Sequence, residues 1–289
     1  MSAHTTYRWP QGASLALSVV VNVEEGAEMS VLDGDRGPEP VDEMGIVLKR
    51  PIRNRANESN YRYGLQEGFR RVAQALDERA IPATWTAAAL ALERAPEVAR
   101  FIAGRGDEAA SHGYRWSHQF RMDETEEREF IRGAVRSITR TTGRRPVGHL
   151  SRYLVSDNTR RILAEEGFLY HMDDYSRDEP FWELVDGRPL VIMPYALDTN
   201  DMKMWAEPSY TPRQWLDYAI DTFECLHAEG ADRPRMMSLG LHLRVIGRPG
   251  RIRALHRLLE HVESRGDVWI ATRREIAEHF ASRVPPPAS

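Results

Sequence analysis

Apolar and polar positions along the chain follow two different periods. Ser14 to Val23 is a nearly unbroken run of β-branched and other apolar residues, which predicts a buried strand. Leu65, Phe69, Val72 and Leu76 then recur at helical spacing, which predicts an amphipathic helix. Further stretches of strand character are A-T-W-T-A-A, D-E-A-A-S-H, P-V-G-H-L, F-L-Y-H-M, P-L-V-I-M-P-Y, M-M-S-L-G-L-H-L and V-W-I-A-T.

Helices are predicted between these strands. Asp123 with Glu126 is typical of an N-cap with a capping box, and the helix that follows is expected to end at Gly143. Other helices are expected to begin near Pro96, Asp157, Thr211, Pro249 and Thr272. No internal repeat or linker interrupts the 289 residues. We therefore expect one α/β domain over 1–289, with a core of about 8–280, and seven or eight strands favour a barrel over an open sheet.

Polar residues collect where the predicted strands end. The groups are Glu24 with Glu25, Ser111 with His112, His149 to Arg152, Asp198 to Asp201, and His242 with Arg244. In parallel barrels the chemistry lies where the carboxyl ends of the strands pass into loops, so these groups predict one site. The long loop from Gly26 to about Asn60 starts beside Glu25, and we expect it to cover the mouth of that site.

Charge and composition narrow the function classes. The net charge is −4 and no basic run is interleaved with aromatics, so a nucleic-acid partner is not expected. No apolar stretch is long enough to span a membrane. The N-terminal stretch M-S-A-H-T-T-Y-R-W-P lacks a charged and then apolar signal segment. The one cysteine, Cys225, sits in a helical pattern and is predicted to pack, so a reduced, cytoplasmic setting is expected.

Four segments then resemble a known family. They are N-V-E-E-G-A-E, A-S-H-G-Y-R-W, L-D-T-N-D-M and G-L-H-L-R-V-I-G-R-P-G-R. They resemble the polysaccharide-deacetylase-like fold, and within it the branch of allantoinases that lack the usual binuclear metal centre and the related cyclic imide hydrolases. The similarity runs from about Arg8 to Phe280. The resemblance implies a distorted (β/α) barrel of about seven strands, hydrolysis of a carbon–nitrogen amide-type bond, and a homo-oligomer, either dimer or tetramer.

The resemblance also assigns roles to individual residues. Glu24 falls on the position of the general base, Glu25 on a metal-binding aspartate, His112 on the first metal histidine and His242 on the acid. Two departures stand out. Both aspartates of the family motif are glutamates here, and the position four residues after His112 is Trp116, which cannot bind a metal.

These departures bear on the cofactor. Catalytic zinc usually has three protein ligands from His, Asp, Glu and Cys. Glu25 and His112 would supply two, and His118 would be the third only if the loop after Trp116 folded back. We therefore expect that no cofactor is required, with a divalent metal such as zinc as the alternative.

The residue types indicate how a cyclic amide would be opened. The reaction needs an activated water, a stabilised oxyanion and a protonated leaving nitrogen. Glu24 or Glu25 is expected to take the proton from water, and repulsion between them would raise one of the two pKa values. His242 is expected to protonate the leaving nitrogen. Strand alternation does not tell which glutamate points inward, whereas the family match assigns the base to Glu24.

Other residues are candidates for substrate binding. His112, with Arg152 or Arg244, is expected to stabilise the oxyanion. Asn200, with Asp201 beside it, suits the edge of a ureide or imide, because an amide side chain both donates and accepts hydrogen bonds. Trp116 and Trp205 are expected to wall a small flat ring.

Three functions remain at this stage. The leading hypothesis is a cyclic amidohydrolase acting on a small allantoin-like ureide, an imide or another cyclic amide. The second is an N-deacetylase of an acetylated sugar or polysaccharide, against which Trp116 in place of a metal ligand counts. The third is an inactive family member that serves as a binding or scaffold protein, against which the glutamate pair and His242 count.

Overall fold

All strands in the described part of the protein belong to one sheet. The computed structural model describes residues 7–48 and 50–288, so residues 1–6, on which the expected absence of a signal segment partly rests, lie outside the described part. The strands are β1 (Leu15–Val23), β2 (Ala83–Ala87), β3 (Glu108–Ser111), β4 (Gly148–His149), β5 (Tyr170–His171), β6 (Phe181–Val185), β7 (Arg188–Ile192), β8 (Met236–His242) and β9 (Val268–Ile270).

Helices connect most of these strands. They are α1 (Arg55–Tyr63), α2 (Phe69–Asp77), α3 (Ala89–Arg94), α4 (Pro96–Arg105), α5 (Glu124–Thr142), α6 (Thr159–Glu165), α7 (Pro212–Glu229), α8 (Leu243–Ile246), α9 (Pro249–Glu263) and α10 (Arg273–Arg283). A π-helical turn, Gly64–Gly68, joins α1 to α2. No helix in the described ranges has the length and apolar character that crossing a bilayer requires.

The sheet is a barrel of seven parallel strands with one weak seam. The strand order is β6-β7-β5-β4-β3-β2-β1-β8, with β6 antiparallel to β7 and β9 paired to the start of β1. Between β7 and β8 the ring closes through a single parallel bridge between Asn200 and Gly240. The prediction of a distorted barrel of about seven strands is confirmed.

Strand β1 lies at the centre of the core. Each of its nine residues is buried, as its apolar composition predicted. It pairs with β2 and β8 in parallel, and the register places Asn22 beside Thr86 on one side and His242 on the other. The carboxyl ends of β1, β2 and β8 are therefore level, and the residues that follow them meet at one edge.

Most predicted helix boundaries agree with the structure. Asp123 and Glu126 form the capping box of α5, and Gly143 ends that helix in the left-handed region. Strand β6 and helices α3 and α8 were not predicted. Cys225 was expected to pack but is exposed on α7, since it lies on the solvent side of that helix.

The helix predicted around Leu65 begins earlier than its apolar pattern indicated. Helix α1 starts at Arg55, inside the segment interpreted as loop, because Asn54 caps it by accepting a hydrogen bond from the Asn57 amide at 3.1 Å. Most residues of α1 are polar, so the apolar spacing typical of a helix is not visible in its sequence. The true loop after β1 is therefore shorter than the sequence pattern suggested.

Two glycines allow the π-helical turn to pack directly on the backbone after β8. A Cβ placed on Gly68 would lie 2.0 Å from the carbonyl oxygen of Leu243, and one placed on Gly247 would lie 2.4 Å from the Cα of Gly68. Only glycine permits such a close approach between backbones. The contact holds α8, and the residues around it, against the turn that follows α1.

We predict that Gly68→Ala destabilises the protein. The added methyl group meets a backbone carbonyl that cannot rotate away, so we expect a loss of roughly 1–3 kcal/mol in the free energy of unfolding. Denaturant titration followed by circular dichroism measures it. Gly104→Ala, in helix α4, is the matched control, because a Cβ there meets nothing within 4 Å. The control should be neutral or stabilising by up to about 1 kcal/mol, and equal stability of the two variants would contradict the packing argument.

Candidate active site

A cavity of about 280 Å³ opens at the carboxyl ends of the strands. It is lined by residues at or beyond the carboxyl ends of β1, β3, β4, β5, β7 and β8: Asn22, Glu24, His112, Trp116, Leu150, Ser151, Arg152, Tyr153, Tyr175, Tyr195, Ala196, Leu197, Asn200, Met202, Lys203, Trp205, Ala206 and His242. The strand ends do converge on one site, as predicted. The two tryptophans that were expected to wall a flat ring, Trp116 and Trp205, both lie in the wall.

Glu24 and Glu25 face opposite ways. Glu24 lines the cavity together with Asn22, because residues two apart on a strand point to the same side. Glu25 points away from the cavity and is completely buried. Its Oε2 accepts the amide of Glu24 at 3.2 Å, and its Oε1 accepts the amide of Arg244 at 3.2 Å. The structure thus places one carboxylate at the cavity and the other in a supporting hydrogen-bond network.

Arg244 connects the two carboxylates. Its Nη1 donates to Glu24 Oε2 at 2.7 Å and lies 3.4 Å from Glu25 Oε1. The guanidinium also lies over the ring of Tyr61, 4.4 Å from the ring centroid. Arg244 was expected to contact the substrate, yet it is buried and does not line the cavity. Its place behind the glutamates makes it the counter-ion of the pair.

The two glutamates differ in their pKa shifts. Burial alone would raise the pKa of Glu24, but Arg244 and His242 lower it well below 4.5, so Glu24 is ionised. Burial raises the pKa of Glu25; Arg244 opposes this, and the charge of Glu24 adds to it. Repulsion was expected to raise one of the two values, and the raised value belongs to the residue that does not face the cavity.

His242 faces Glu24 across the cavity floor. Its Nε2 lies 3.4 Å from Glu24 Oε1, and its Nδ1 lies 2.6 Å from Asp201 Oδ1. Burial alone would lower the pKa of His242, but Asp201 and Glu24 raise it to about 9. At neutral pH the pair is therefore an ionised carboxylate next to a protonated imidazole.

Asp201 supports His242 rather than the substrate. Its Oδ2 accepts the backbone amides of His242 at 2.7 Å and Ile246 at 3.0 Å, while Oδ1 holds the imidazole. It is completely buried and does not line the cavity, so the expectation that it binds substrate was wrong. The reason is that one carboxylate already fills its acceptor positions with three groups of the loop after β8.

Both ring nitrogens of His112 are occupied. Its Nδ1 lies 2.7 Å from the carbonyl oxygen of Leu150, which can only accept, so Nδ1 carries the proton. Its Nε2 accepts the indole N–H of Trp116 at 3.0 Å. His112 is thus a neutral imidazole without a free N–H. The expectation that it stabilises an oxyanion is not met in this arrangement.

The residues expected to bind a metal do not fit one. The Nε2 lone pair of His112 faces an indole N–H, and Glu25 is bonded to Arg244 and two backbone amides. His118 does not line the cavity, and its Nδ1 lies 3.2 Å from the carbonyl oxygen of Arg152. Within residues 7–48 and 50–288, no three His, Cys, Asp or Glu side chains come together as a metal site.

Arg152 lines the cavity, but its charge is used within the protein. Its guanidinium forms a buried ion pair with Glu39, donates to the carbonyl oxygen of Trp116 at 2.6 Å, and stacks 3.8 Å from the ring centroid of Trp116. Arg152 therefore supports the aromatic wall, and both of its Nη atoms bind groups of the protein itself.

Glu39 belongs to the long loop after β1, so this ion pair also locates that loop. The loop was expected to cover the mouth of the site, and it does lie at that edge of the barrel. None of its described residues lines the cavity. It backs the wall formed by Trp116 and Arg152, whereas the segment 195–206 after β7 forms the opposite side.

Several polar residues of the cavity were missed from sequence, namely Asn22, Tyr153, Tyr175, Tyr195 and Lys203. Asn22 accepts a hydrogen bond from Thr86 Oγ1 at 2.6 Å and donates to Tyr195 Oη at 2.8 Å. A signal for Asn22 was present, since it is a polar residue inside an apolar strand, two positions before Glu24. Tyr195 follows β7 without a recognisable pattern.

Comparison with known proteins places this chain in a family. A profile of the polysaccharide deacetylase family matches residues 59–170. A Schizosaccharomyces pombe protein, provisionally described as a polysaccharide deacetylase, is 34% identical over 302 residues, which cover 97% of this chain and 94% of the relative. The peptidoglycan deacetylase of Helicobacter pylori is 26% identical over 75% of this chain and 85% of its own.

Solved structures agree with this placement. The crystal structure of PuuE allantoinase is 40% identical, with a TM-score of 0.94 over 99% of this chain and 96% of that chain. A Pseudomonas aeruginosa structure, provisionally named a polysaccharide deacetylase, is also 40% identical, with a TM-score of 0.93 over 99% and 96% of the two chains. Similarity over nearly the whole length, together with the barrel and its strand-end site, shows that the chain belongs to the polysaccharide deacetylase family of hydrolases.

Proposed function

We propose that the protein is a cyclic amidohydrolase that opens a small ring. The ring is an allantoin-like ureide, an imide or another cyclic amide. The observation that carries this proposal is the pairing of ionised Glu24 with protonated His242 at the floor of a small aromatic cavity. These are the two protonation states that hydrolysis of an amide needs at its start. The 40% identity to PuuE allantoinase supports the same class of substrate.

Glu24 is the general base of the proposed reaction. It is the carboxylate that faces the cavity, and its Oε1 lies 3.4 Å from His242 Nε2. A water between Glu24 and the substrate gives its proton to the carboxylate and attacks the carbonyl carbon. A new carbon–oxygen bond forms, and the carbonyl oxygen takes the electron pair of the C=O π bond.

His242 is the general acid. When the tetrahedral intermediate collapses, its Nε2 gives a proton to the ring nitrogen, the carbon–nitrogen bond breaks, and the ring opens to an acid and an amine or amide. Asp201 keeps Nδ1 protonated, so the proton given away is the one on Nε2. Because Glu24 Oε1 lies 3.4 Å from His242 Nε2, the proton taken from water can return to the imidazole and restore the starting state.

The cavity favours a small flat substrate. Its volume of about 280 Å³ falls just below the range of roughly 300–1,000 Å³ for pockets that hold drug-sized ligands. Five aromatic side chains take part in its wall: Trp116, Tyr153, Tyr175, Tyr195 and Trp205. Aromatic walls stack well on planar rings, whereas a polymer chain would need an extended groove.

We further propose that the reaction requires no metal. The family resemblance implies metal ligands at Glu25, His112 and the position of Trp116, and the donor atoms at all three are engaged or absent. Arg244 lies on both glutamates instead and supplies positive charge from the chain itself. The base, the acid and their supporting residues are all protein side chains.

The alternative function is N-deacetylation of a sugar or polysaccharide. It is supported by the descriptions of the S. pombe and P. aeruginosa relatives and by the peptidoglycan deacetylase of H. pylori. The same base and acid would act on an acetamide. The small cavity and the loss of the second metal histidine to Trp116 favour the cyclic substrate.

A substrate panel tests the proposal. We expect the purified protein to hydrolyse at least one ring among allantoin, hydantoins, dihydropyrimidines and imides, and not an N-acetylglucosamine oligomer. Activity should survive dialysis against a chelator, and elemental analysis should find less than one zinc per chain. Liquid chromatography with mass spectrometry identifies the ring-opened product. Deacetylation without ring opening, or activity that chelation removes and zinc restores, would contradict the proposed function.

We predict that Glu24→Gln lowers turnover roughly 10²- to 10⁴-fold while the fold persists. A carboxamide at position 24 keeps an oxygen for Arg244 but cannot accept the proton of water. Glu25→Gln is the matched control, and it should cost mainly stability. Both oxygens of Glu25 accept N–H groups, so an NH2 at either one faces a donor. Turnover and thermal midpoint are measured for each. Full turnover in both variants would exclude the mechanism.

We predict that activity falls as the pH rises through about 9, where His242 loses the proton it donates. On the acid side the plateau should extend below pH 4.5, because Glu24 stays ionised. The pH profile of kcat/KM measures both limits, and a loss of activity centred near pH 6.5 would contradict the pairing.

Thermal stability gives a second readout for the same pair. The pKa of His242 is raised from 6.5 to about 9 on folding. Its protonation therefore stabilises the fold fully below pH 6.5, and this stabilisation is lost as the pH rises through about 9. The difference in thermal midpoint between the wild type and His242→Gln should shrink over that interval. A difference in thermal midpoint that does not change with pH would contradict the raised pKa of His242.

A further inference from the structure

Two hydrogen-bond donors in the cavity have no acceptor within the described part of the protein. They are the hydroxyl of Tyr195 and the side-chain NH2 of Asn200, and both residues line the cavity with Glu24 and His242. The proposed base and acid do not involve either group. Donors left unpaired next to a catalytic pair indicate an acceptor on the substrate.

The proton of Tyr195 is free because of how Asn22 is oriented. Asn22 Nδ2 lies 3.1 Å from the carbonyl oxygen of Leu241, which can only accept, so the NH2 group must face this side. The same Nδ2 donates to Tyr195 Oη at 2.8 Å. Asn22 Oδ1 is occupied by Thr86 Oγ1 at 2.6 Å. The phenol oxygen is therefore an acceptor towards Asn22 and keeps its own O–H for another group.

The environment of Tyr195 keeps that O–H in place. Burial raises the pKa of Tyr195, the hydrogen bond from Asn22 opposes the shift, and the charge of Asp201 adds to it. The phenol is thus neutral and a donor at neutral pH.

Asn200 presents its donor in the same direction. Its Oδ1 accepts the amide of Met202 at 3.0 Å, which fixes the orientation of the side-chain amide. Its Nδ2 is left without an acceptor among the described residues. A Cβ placed on Gly240 would lie 2.6 Å from both Asn200 Nδ2 and Tyr195 Oη. The two donors are therefore at most twice that distance apart, close enough for one oxygen atom to lie between them.

The two donors lie beside strand positions that precede the base and the acid. Gly240 is two residues before His242 on β8, and Asn22 is two residues before Glu24 at the end of β1. Two residues of a strand span roughly 6.6 Å, at about 3.3 Å per residue. A flat ring whose scissile bond lies between Glu24 and His242 therefore directs its far side towards Tyr195 and Asn200.

We propose that Tyr195 and Asn200 bind the second carbonyl oxygen of the substrate, the one that is not attacked. The site then selects rings with two carbonyl groups on either side of a nitrogen, as in hydantoins and imides, over rings that offer only the scissile carbonyl. This inference rests on the proposed ring-opening function and names its substrate class. Tyr195 and Asn200 are specificity-determining residues in this arrangement, while Glu24 and His242 carry the proton transfers.

The test compares two rings that differ in one atom. The first is the two-carbonyl ring that the protein hydrolyses, and the second has sulfur in place of the oxygen of the uncleaved carbonyl; for a hydantoin this is the 2-thiohydantoin. Thiocarbonyl sulfur is a weaker acceptor, so we expect the wild type to prefer the oxygen ring roughly tenfold in kcat/KM, the worth of one or two hydrogen bonds. Tyr195→Phe should bring this preference to within about twofold, mainly through a higher KM for the oxygen ring.

Asn200→Asp gives an independent variant. It retains the oxygen that caps Met202 and replaces the donor by an acceptor, so it should remove the preference as well. Tyr218→Phe is the matched control, because Tyr218 donates its hydroxyl to Asp198 at 2.9 Å outside the cavity, and this variant should keep the wild-type preference.

The outcomes separate the inference from the function on which it rests. If both Tyr195→Phe and Asn200→Asp slow the two rings equally, the donors serve the attacked oxygen or the fold, and the inference is wrong while the function stands. The inference is also wrong if the wild type does not distinguish oxygen from sulfur. If no cyclic ring is hydrolysed at all, the proposed function fails and the inference fails with it.

Discussion

The ion pair between Arg244 and the two glutamates is the interaction on which the site depends. Ionised side chains are costly to bury, and they persist in a protein interior only when they are paired and hydrogen-bonded. Arg244 forms ion pairs with both Glu24 and Glu25, and its guanidinium stacks over the ring of Tyr61. With the arginine in place, Glu24 remains a carboxylate inside the protein. Without it, burial would favour the protonated acid, which cannot take a proton from water.

The other polar groups of the site interact with the charge of Glu24. The anionic Glu24 and Asp201 lie on either side of His242 and raise its pKa, so the acid of the pair is protonated because the base is not. The amides of His242, Arg244 and Ile246 all donate to buried carboxylates. Helix α8 contains two of these residues, and Gly68 allows the π-helical turn to press against it. Local backbone structure and charge placement therefore depend on each other.

Much of the fold and part of the candidate site were predictable from sequence. What could not be predicted has physical reasons. Strand β1, the capping box of α5 and the convergence of strand ends follow from local sequence patterns, which the chain shows clearly. The sequence did not show that the Glu24 side chain points into the barrel. A strand that is buried on both faces has no alternation of apolar and polar residues from which the direction could be inferred. Asp201 and Arg244 were placed at the substrate, although they support their neighbours. Such roles depend on partners 41 and 220 residues away along the chain. The tautomer of His112 likewise depends on Leu150, which no local pattern connects to it.

The weak seam of the barrel has a consequence for how this protein can change over evolutionary time. Most neighbouring strands are joined by a ladder of hydrogen bonds, although β3 and β4 share only the pair Ser111 and His149. An inserted residue within a ladder would shift every side chain to the wrong face. Between β7 and β8 there is one bridge, at Asn200 and Gly240, and the chain from 193 to 211 is otherwise unconstrained by strand register. That same chain forms one side of the cavity. Insertions, deletions and substitutions there that keep Asp201 on His242 can reshape the pocket for a new ring while the six remaining strand pairings, and the acid and base they carry, stay as they are. Apart from Asp201, the barrel thus separates the part that performs the chemistry from the part that can vary.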